Sequence, residues 1–181
     1  KKYKNVETRK RESVGKTCGS ALDKVRGEKG PIFLAQAAEE AAAAAESSNK
    51  KAEEAINAAK TKAEKTLLQR QYKDQKVSAS VISRYLRDSQ RLWKDGEKAL
   101  LNIESRAKIC ASDYEQIQVW NMLAYTKYSL DDFPGATRYY EKIVNAPGED
   151  DAFRLDTRRT LAQFYAQAER YSESIEQYEI W

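Results

Sequence analysis

The sequence predicts an all-α protein in which helix-turn-helix repeats stack as an α-solenoid, preceded by a long Ala/Glu/Lys-rich helical segment. Residues 120–143 and 158–181 carry one pattern at a constant offset of 38. From Pro31 to about Lys76 the chain is almost wholly Ala, Glu and Lys, the strongest helix formers. With 7 Gly and 3 Pro in 181 residues there are few turning points, so long helices are expected.

Residues 1–30 hold ten Lys/Arg against four Asp/Glu, a balance of +6, and the remainder of the chain carries −2. Val14, Cys18, Leu22 and Val25 recur at helical spacing and predict one short amphipathic helix over 8–26. The basic charge reads as a solvated tail, or as an arm that docks on acidic lipid or an acidic partner. Nucleic acid is not expected, because aromatics do not interleave with the basic residues. Gly27 and Gly30 bracket a break, and Pro31 is placed to open the next helix.

Residues 31–77 form the Ala-rich segment, with Glu53, Glu54 and Glu64 at helical spacing from lysines. Its seam of Ala52, Ile56, Ala59, Ala63 and Leu67 is narrow and made mostly of methyl groups, which bury little by themselves. Ser47-Ser48-Asn49 is the expected kink or turn. The segment is either one exposed stalk of about 65 Å at 1.5 Å per residue or a hairpin, and it could self-associate.

Residues 78–181 carry the repeats, expected as about three helical pairs with the first degenerate. Leu123-Ala124 returns as Leu161-Ala162, Phe133 as Tyr171, Tyr140 as Tyr178, and Ala136 faces Ser174. Small Ala124 and Ala136 let two helices approach while Leu123, Phe133, Tyr140 and Ile143 fill the space around them. No such unit buries its face alone, so units must stack. Ser112 and Glu115 form a capping box ahead of Ile117, Trp120 and Leu123. Asp131-Asp132 breaks that helix, Pro134 falls in the first turn of the next, and Pro147-Gly148 ends it.

The segment WNMLAYTKYSLDDFPGATRYYEKIVNAPG resembles a tetratricopeptide (TPR) motif through Trp120, Leu123, Ala124, Ala136, Tyr140 and Pro147. Lys127 stands where that motif usually has Tyr, with Tyr128 beside it. Residues 152–181 match through Leu161, Ala162, Tyr165, Tyr171 and Tyr178, with Arg158 at the Trp position. The offset exceeds the usual TPR period of about 34, which places extra residues in the loop GEDDAFR. A degenerate upstream unit at 81–107 keeps Leu86, Ala99 and Ile103. The resemblance implies a TPR-type fold whose first helices line a concave groove. It points to Asn121, Tyr125 and Tyr128 in one unit and Arg159, Gln163 and Gln167 in the next as partner-binding residues. Tyr139, Tyr140, Tyr165 and Tyr178 are expected in packing.

A narrower resemblance is to periplasmic TPR proteins associated with TonB–ExbB–ExbD energy-transduction systems. It rests on Tyr114-Glu115, Trp120-Asn121, Ala99-Leu100, Leu161-Ala162-Gln163, Tyr165, Tyr171 and Trp181, with Glu7-Thr8-Arg9-Lys10 similar to their mature N-terminus. The Ala-rich segment of about 45 residues departs from that group. The implied function is a non-catalytic protein–protein interaction module, a periplasmic accessory of a TonB-type iron or siderophore uptake complex. The alternative is a coiled-coil-plus-TPR envelope adaptor of the Tol or cell-division type, self-associating through 31–76. The chain starts Lys1-Lys2, as a processed or truncated product would, so a secretion signal would not be visible here.

No catalytic site, metal, cofactor or small-molecule substrate is expected. The chain has no histidine, the commonest general base and metal ligand. Gly15-Lys16-Thr17 imitates the end of a phosphate-binding loop, but the upstream Gly position holds Lys10 and no apolar strand precedes it. Ser47 and Lys50 have serine–lysine spacing without pocket material around them. Asp131-Asp132 and Glu149-Asp150-Asp151 lack the ligand ladder of a calcium loop. Cys18 and Cys110 match no CxxC spacing, and the sequence is equally consistent with a disulfide and with two buried thiols.

Overall fold

A computed structural model describes residues 13–181, and among them the chain is all-α. The helices are α1 (Lys16–Arg26), α2 (Pro31–Asn57), α3 (Lys62–Lys73), α4 (Ala79–Ser105), α5 (Asp113–Ser129), α6 (Phe133–Val144), α7 (Ala152–Gln167) and α8 (Tyr171–Ile180). No helix among the described residues is long and apolar enough to cross a membrane.

The helix expected over 8–26 begins at Lys16. Its first five expected residues, the Glu7-Thr8-Arg9-Lys10 match and most of the basic arm lie outside the described residues. α1 buries Cys18, Leu22 and Val25 on one face. The Gly27–Gly30 break is tight: the Gly30 N–H donates to the Gly27 carbonyl at 2.6 Å, and a Cβ at Gly30 would fall 2.3 Å from the Val25 carbonyl oxygen. Pro31 then opens α2, where its missing N–H costs nothing.

The Ala-rich helix is neither a free stalk nor kinked at Ser47-Ser48-Asn49. α2 runs unbroken through those residues and breaks only at 58–61. Ala35, Ala42, Ala45 and Ala52 form a buried stripe along α2, and the long helix α4 packs against it. Methyl-sized side chains permit that close approach. At Gly96 of α4 an added Cβ would lie 2.9 Å from Ile32 Cγ1. Asn49 pins the chain rather than bending it: its side-chain amide donates to the Val77 carbonyl at 2.7 Å, and its Oδ1 accepts from Val77 N–H at 2.9 Å. α3 buries none of its residues, and Leu67 of the expected seam is 66% exposed.

Residues 81–107, expected as a degenerate pair, form the greater part of the single 27-residue helix α4. The one residue that could have interrupted it, Gly96, serves the approach to α2 instead. Two helical hairpins follow, α5–α6 and α7–α8, with α4 against α5 and α6 against α7. Leu123, Ala124, Ala136, Ile143, Leu161 and Ala162 are fully buried. Ser174, the counterpart of Ala136 at the offset of 38, donates its hydroxyl to the Ala162 carbonyl at 2.8 Å, so a polar residue fits the small-residue position. Both hairpins turn identically. Asp131 (φ 59°) and Glu169 (φ 60°) take the left-handed conformation. The N–H groups of Asp132 and Arg170 close the same six-residue turn onto the carbonyls of Lys127 (2.9 Å) and Tyr165 (2.8 Å).

The predicted capping box is present, with the Ser112 hydroxyl and the Glu115 carboxylate each accepting from the other's backbone N–H. Lys127, at the position where Tyr was expected, bridges Glu97 of α4 (3.2 Å) and Asp132 (3.4 Å). The extra residues between the hairpins lie at 145–151, because Ala152 already begins α7. Arg154 secures that loop from within, donating to the carbonyls of Ala146, Pro147 and Gly148. Arg158 replaces the expected Trp by holding Asp150 at 2.8 Å and donating to Gln177 and to the Val144 carbonyl.

Cys18 and Cys110 are bonded. The bond ties α1 to the segment between α4 and α5, beside a core containing Leu22, Trp93, Leu100, Val119 and Leu123. Glu115 reinforces it by accepting the Gly15 N–H at 3.1 Å. Burial opposes ionisation of Glu115, but hydrogen bonds from Ser112, Gly15 and Ala111 outweigh it and hold the carboxyl below its ordinary value.

Candidate partner-binding groove

The six residues expected to bind a partner lie on α5 (Asn121, Tyr125, Tyr128) and α7 (Arg159, Gln163, Gln167). All but Asn121, which is half-buried, are exposed. The structure joins some of them through aromatic rings and turns others aside. Tyr125 packs edge-on against Trp93 of α4 at 5.5 Å between ring centres. Its hydroxyl accepts from the Gln36 side chain of α2 at 3.4 Å. Tyr128 meets Phe133 (5.8 Å) and Phe164 (6.0 Å) edge-on, and Phe164 in turn meets Tyr140 (5.3 Å). A run of rings thus reaches from α5 through the α5–α6 turn to α7. Edge-on geometry sets the positive ring edge of one residue against the negative face of the next.

Beyond Phe164 the run opens into a cavity of about 580 Å³ between α6 and α7. Phe133, Pro134, Phe164 and Ala168 supply apolar wall, with Arg138, Glu141, Gln167 and Arg170 around them. Glu141 is held by Tyr165, whose hydroxyl donates to it at 2.7 Å, and by Arg170 at 3.6 Å. Burial and the neighbouring Glu141 carboxylate both push the Tyr165 hydroxyl pKa up, so it remains a donor. Burial also raises Tyr140.

Gln167 therefore borders the cavity and Gln163 lies one turn before it on α7. Arg159 is taken up elsewhere, its guanidinium 5.8 Å from the centre of the Trp181 ring. Of the tyrosines expected in packing, Tyr165 is buried and Tyr139 and Tyr140 are half-buried, but Tyr178 is 42% exposed. It lies on the outer helix α8, which no further helix among the described residues covers. Sequence reasoning missed Phe164, Arg138, Gln36 and Trp93. Phe164 could have been found as an aromatic one turn before Ala168, whereas Gln36 and Trp93 join the site only through the α2–α4 pairing, which no repeat signals.

A second, smaller cavity of about 290 Å³ lies beside the disulfide, lined in part by Glu104, Gln116, Trp120 and Lys142. Lys142 stands over the Trp120 and Tyr139 rings at 5.7 and 5.2 Å. Tyr139 donates to Glu104 at 3.2 Å, and burial with the Glu104 charge pushes its pKa up to about 12. Gly15, of the phosphate-loop imitation, caps α1, and Ser47 and Lys50 lie on or near the surface of α2.

These features define an all-α protein with two stacked hairpins and an open, aromatic-lined face. No protein-family model, curated protein or solved structure matches the chain.

Proposed function

We propose that the chain is a non-catalytic protein-binding module of TPR type that receives an extended segment of a partner across α5 and α7. The observation that carries this reading is the run of Tyr128, Phe133 and Phe164 leading into the α6–α7 cavity. Aromatic rings give large contact area at low entropy cost, and the Gln163 and Gln167 amides could hydrogen-bond a peptide backbone. The apolar wall of the cavity and the ring edges suit an apolar anchor side chain flanked by backbone.

The proposed setting is the periplasm, with a member of a TonB–ExbB–ExbD complex as partner. This part rests on the sequence resemblance, and the Cys18–Cys110 bond favours an oxidising compartment. The alternative, self-association through 31–76, is less supported because the Ala35–Ala52 stripe already seats α4.

A photo-crosslinking residue at Tyr128 or Gln167, with one at exposed Arg87 on α4 as control, tests both parts in envelope extracts. Adducts at the first two positions and not at Arg87 are expected. Equal labelling at all three would refute the groove. Groove-specific adducts lacking TonB, ExbB and ExbD would refute the assignment of partner and leave the groove standing.

A further inference from the structure

The smaller cavity, beside the disulfide, holds a set of groups that the groove does not use. It lies at the open end of the α5–α6 hairpin, where Glu104 of α4, Gln116 and Trp120 of α5, and Lys142 of α6 line about 290 Å³. Lys142 Nζ stands over two rings at once, 5.7 Å from the centre of Trp120 and 5.2 Å from that of Tyr139. Two ring faces turned towards one point attract a cation there. A carboxylate completes the set, because Glu104 Oε2 lies 3.9 Å from the same nitrogen.

Glu104 uses its two oxygens unequally. Oε1 accepts the Tyr139 hydroxyl at 3.2 Å. Oε2 is buried and has no hydrogen-bond partner among the described residues. At 3.9 Å the Lys142 ammonium attracts it across space without making a hydrogen bond. A buried charged oxygen left without a donor is costly. Lys142 is itself loosely held: its side chain is 51% exposed, and no other carboxylate among the described residues pairs with it.

The unmet oxygen selects the ligand. An anion would be repelled by Glu104. A quaternary ammonium would suit the rings but brings no N–H to Oε2. A primary ammonium only repeats what Lys142 already offers, and it is strongly hydrated. A guanidinium lies flat on a ring, sheds water more readily and presents paired N–H groups to a carboxylate. We infer that this cavity is a binding site for a guanidinium group, with Lys142 as the internal cation that it displaces. Glu104 accepts the paired N–H groups, Trp120 supplies the stacking face, and the Gln116 amide can accept a further N–H. The Lys142 ammonium turns out into water on its flexible stem. The site lies at the opposite end of the hairpin from Phe133 and does not rest on the groove.

A guanidinium comes either from an arginine within a protein or from a free small molecule, and two probes separate these sources. Nα-acetylarginine methylamide and free arginine are titrated separately into the intact 15N-labelled protein, followed through its three tryptophan indole N–H resonances. The Trp120 signal, assigned from a Trp120→Phe spectrum, should shift saturably while that of fully buried Trp93 stays in place. Tighter binding of the blocked form identifies an arginine within a chain, and tighter binding of free arginine identifies a small molecule. Lys142→Met should tighten binding at least about fourfold, as removal of a like charge about 5 Å away in water does. Glu104→Gln should weaken it at least about tenfold, through loss of a charge-assisted hydrogen bond. Both residues are partly exposed, and the Trp93 signal of each free variant reports its folding. Should Glu104→Gln not fold, Lys142→Met decides by itself. The proposal is overturned if neither probe moves Trp120, or if exposed Trp181 moves as much. It is also overturned if butylammonium binds as tightly as the arginine probes, or if the folded variants bind them as the parent does.

Discussion

Reduction of the Cys18–Cys110 bond isolates how much of the stability depends on fastening α1 to the α4–α5 junction. The bonded residues are 92 apart in sequence. On the chain-entropy model, closing a loop of that length stabilises by about 4.6 kcal/mol at 25 °C, through restriction of the unfolded chain. Each kcal/mol shifts the melting temperature of a domain this size by about 2–4 °C, so reduction should lower it by about 9–18 °C. Leu22 and Val25 stay available to hold α1 after the bond opens, so the reduced protein should still melt cooperatively. The assay is thermal unfolding followed by circular dichroism, with and without a phosphine reductant. A Cys18→Ala/Cys110→Ala double variant serves as control and should be indifferent to the reductant. A drop below about 3 °C in the parent would refute the argument, because the loop would then be largely closed in the unfolded state by other interactions.

Gly96→Leu should destabilise by about 1–3 kcal/mol in a urea titration, since even a Cβ there meets Ile32 at 2.9 Å; no loss would mean α2 and α4 do not pack at that register. Arg154→Ala leaves the carbonyls of Ala146, Pro147 and Gly148 without their donor, and the same titration should register a cost of about 2–3 kcal/mol. Glu115 has a depressed carboxyl in the folded state, so its contribution is full above the ordinary value of 4.5 and is lost as pH falls through the folded value. The melting temperature should therefore decline on acidification below pH 4.5, and Glu115→Gln should flatten part of that decline; an unchanged slope would remove Glu115 as a cause.

What was legible in the sequence follows from how each feature is encoded. The α5–α6 and α7–α8 hairpins are written twice, as large and small residues at an offset of 38, and the capping box at Ser112 marks their start. Even the departures have local causes: Lys127 satisfies two carboxylates, and the Ser174 hydroxyl finds an acceptor in the Ala162 carbonyl of the facing helix. The pairing of α2 with α4 is not encoded this way. Alanine specifies helix strongly and partner weakly, since a methyl group fits many surfaces, and the same composition describes a stalk and a packed helix. Asn49 illustrates the ambiguity, because an amide that bends a chain in isolation here fastens Val77 across the interface. The groove was half legible for a related reason. Exposed Tyr125 and Tyr128 stand out on α5, but Phe133 and Phe164 carry the signature of core residues and reveal a cavity only when α6 and α7 are placed together.

The two ends of the stack are finished differently, and that difference connects stability with binding. At one end α5 is covered by α4, and α4 by α2 and α1, with Trp93 fully buried and its indole N–H donating to Glu39 at 2.6 Å. The disulfide then fastens α1 in place. At the other end α8 buries Ser174 alone and turns its aromatic stripe outward. In a stacked array each hairpin gains most of its stability from its neighbour, so the layer of α1, α2 and α4 stabilises α5 directly and the second hairpin through it. Tyr125 draws directly on that rigidity, since its ring rests on Trp93 and its hydroxyl on Gln36. The covered end thus orders the near side of the groove.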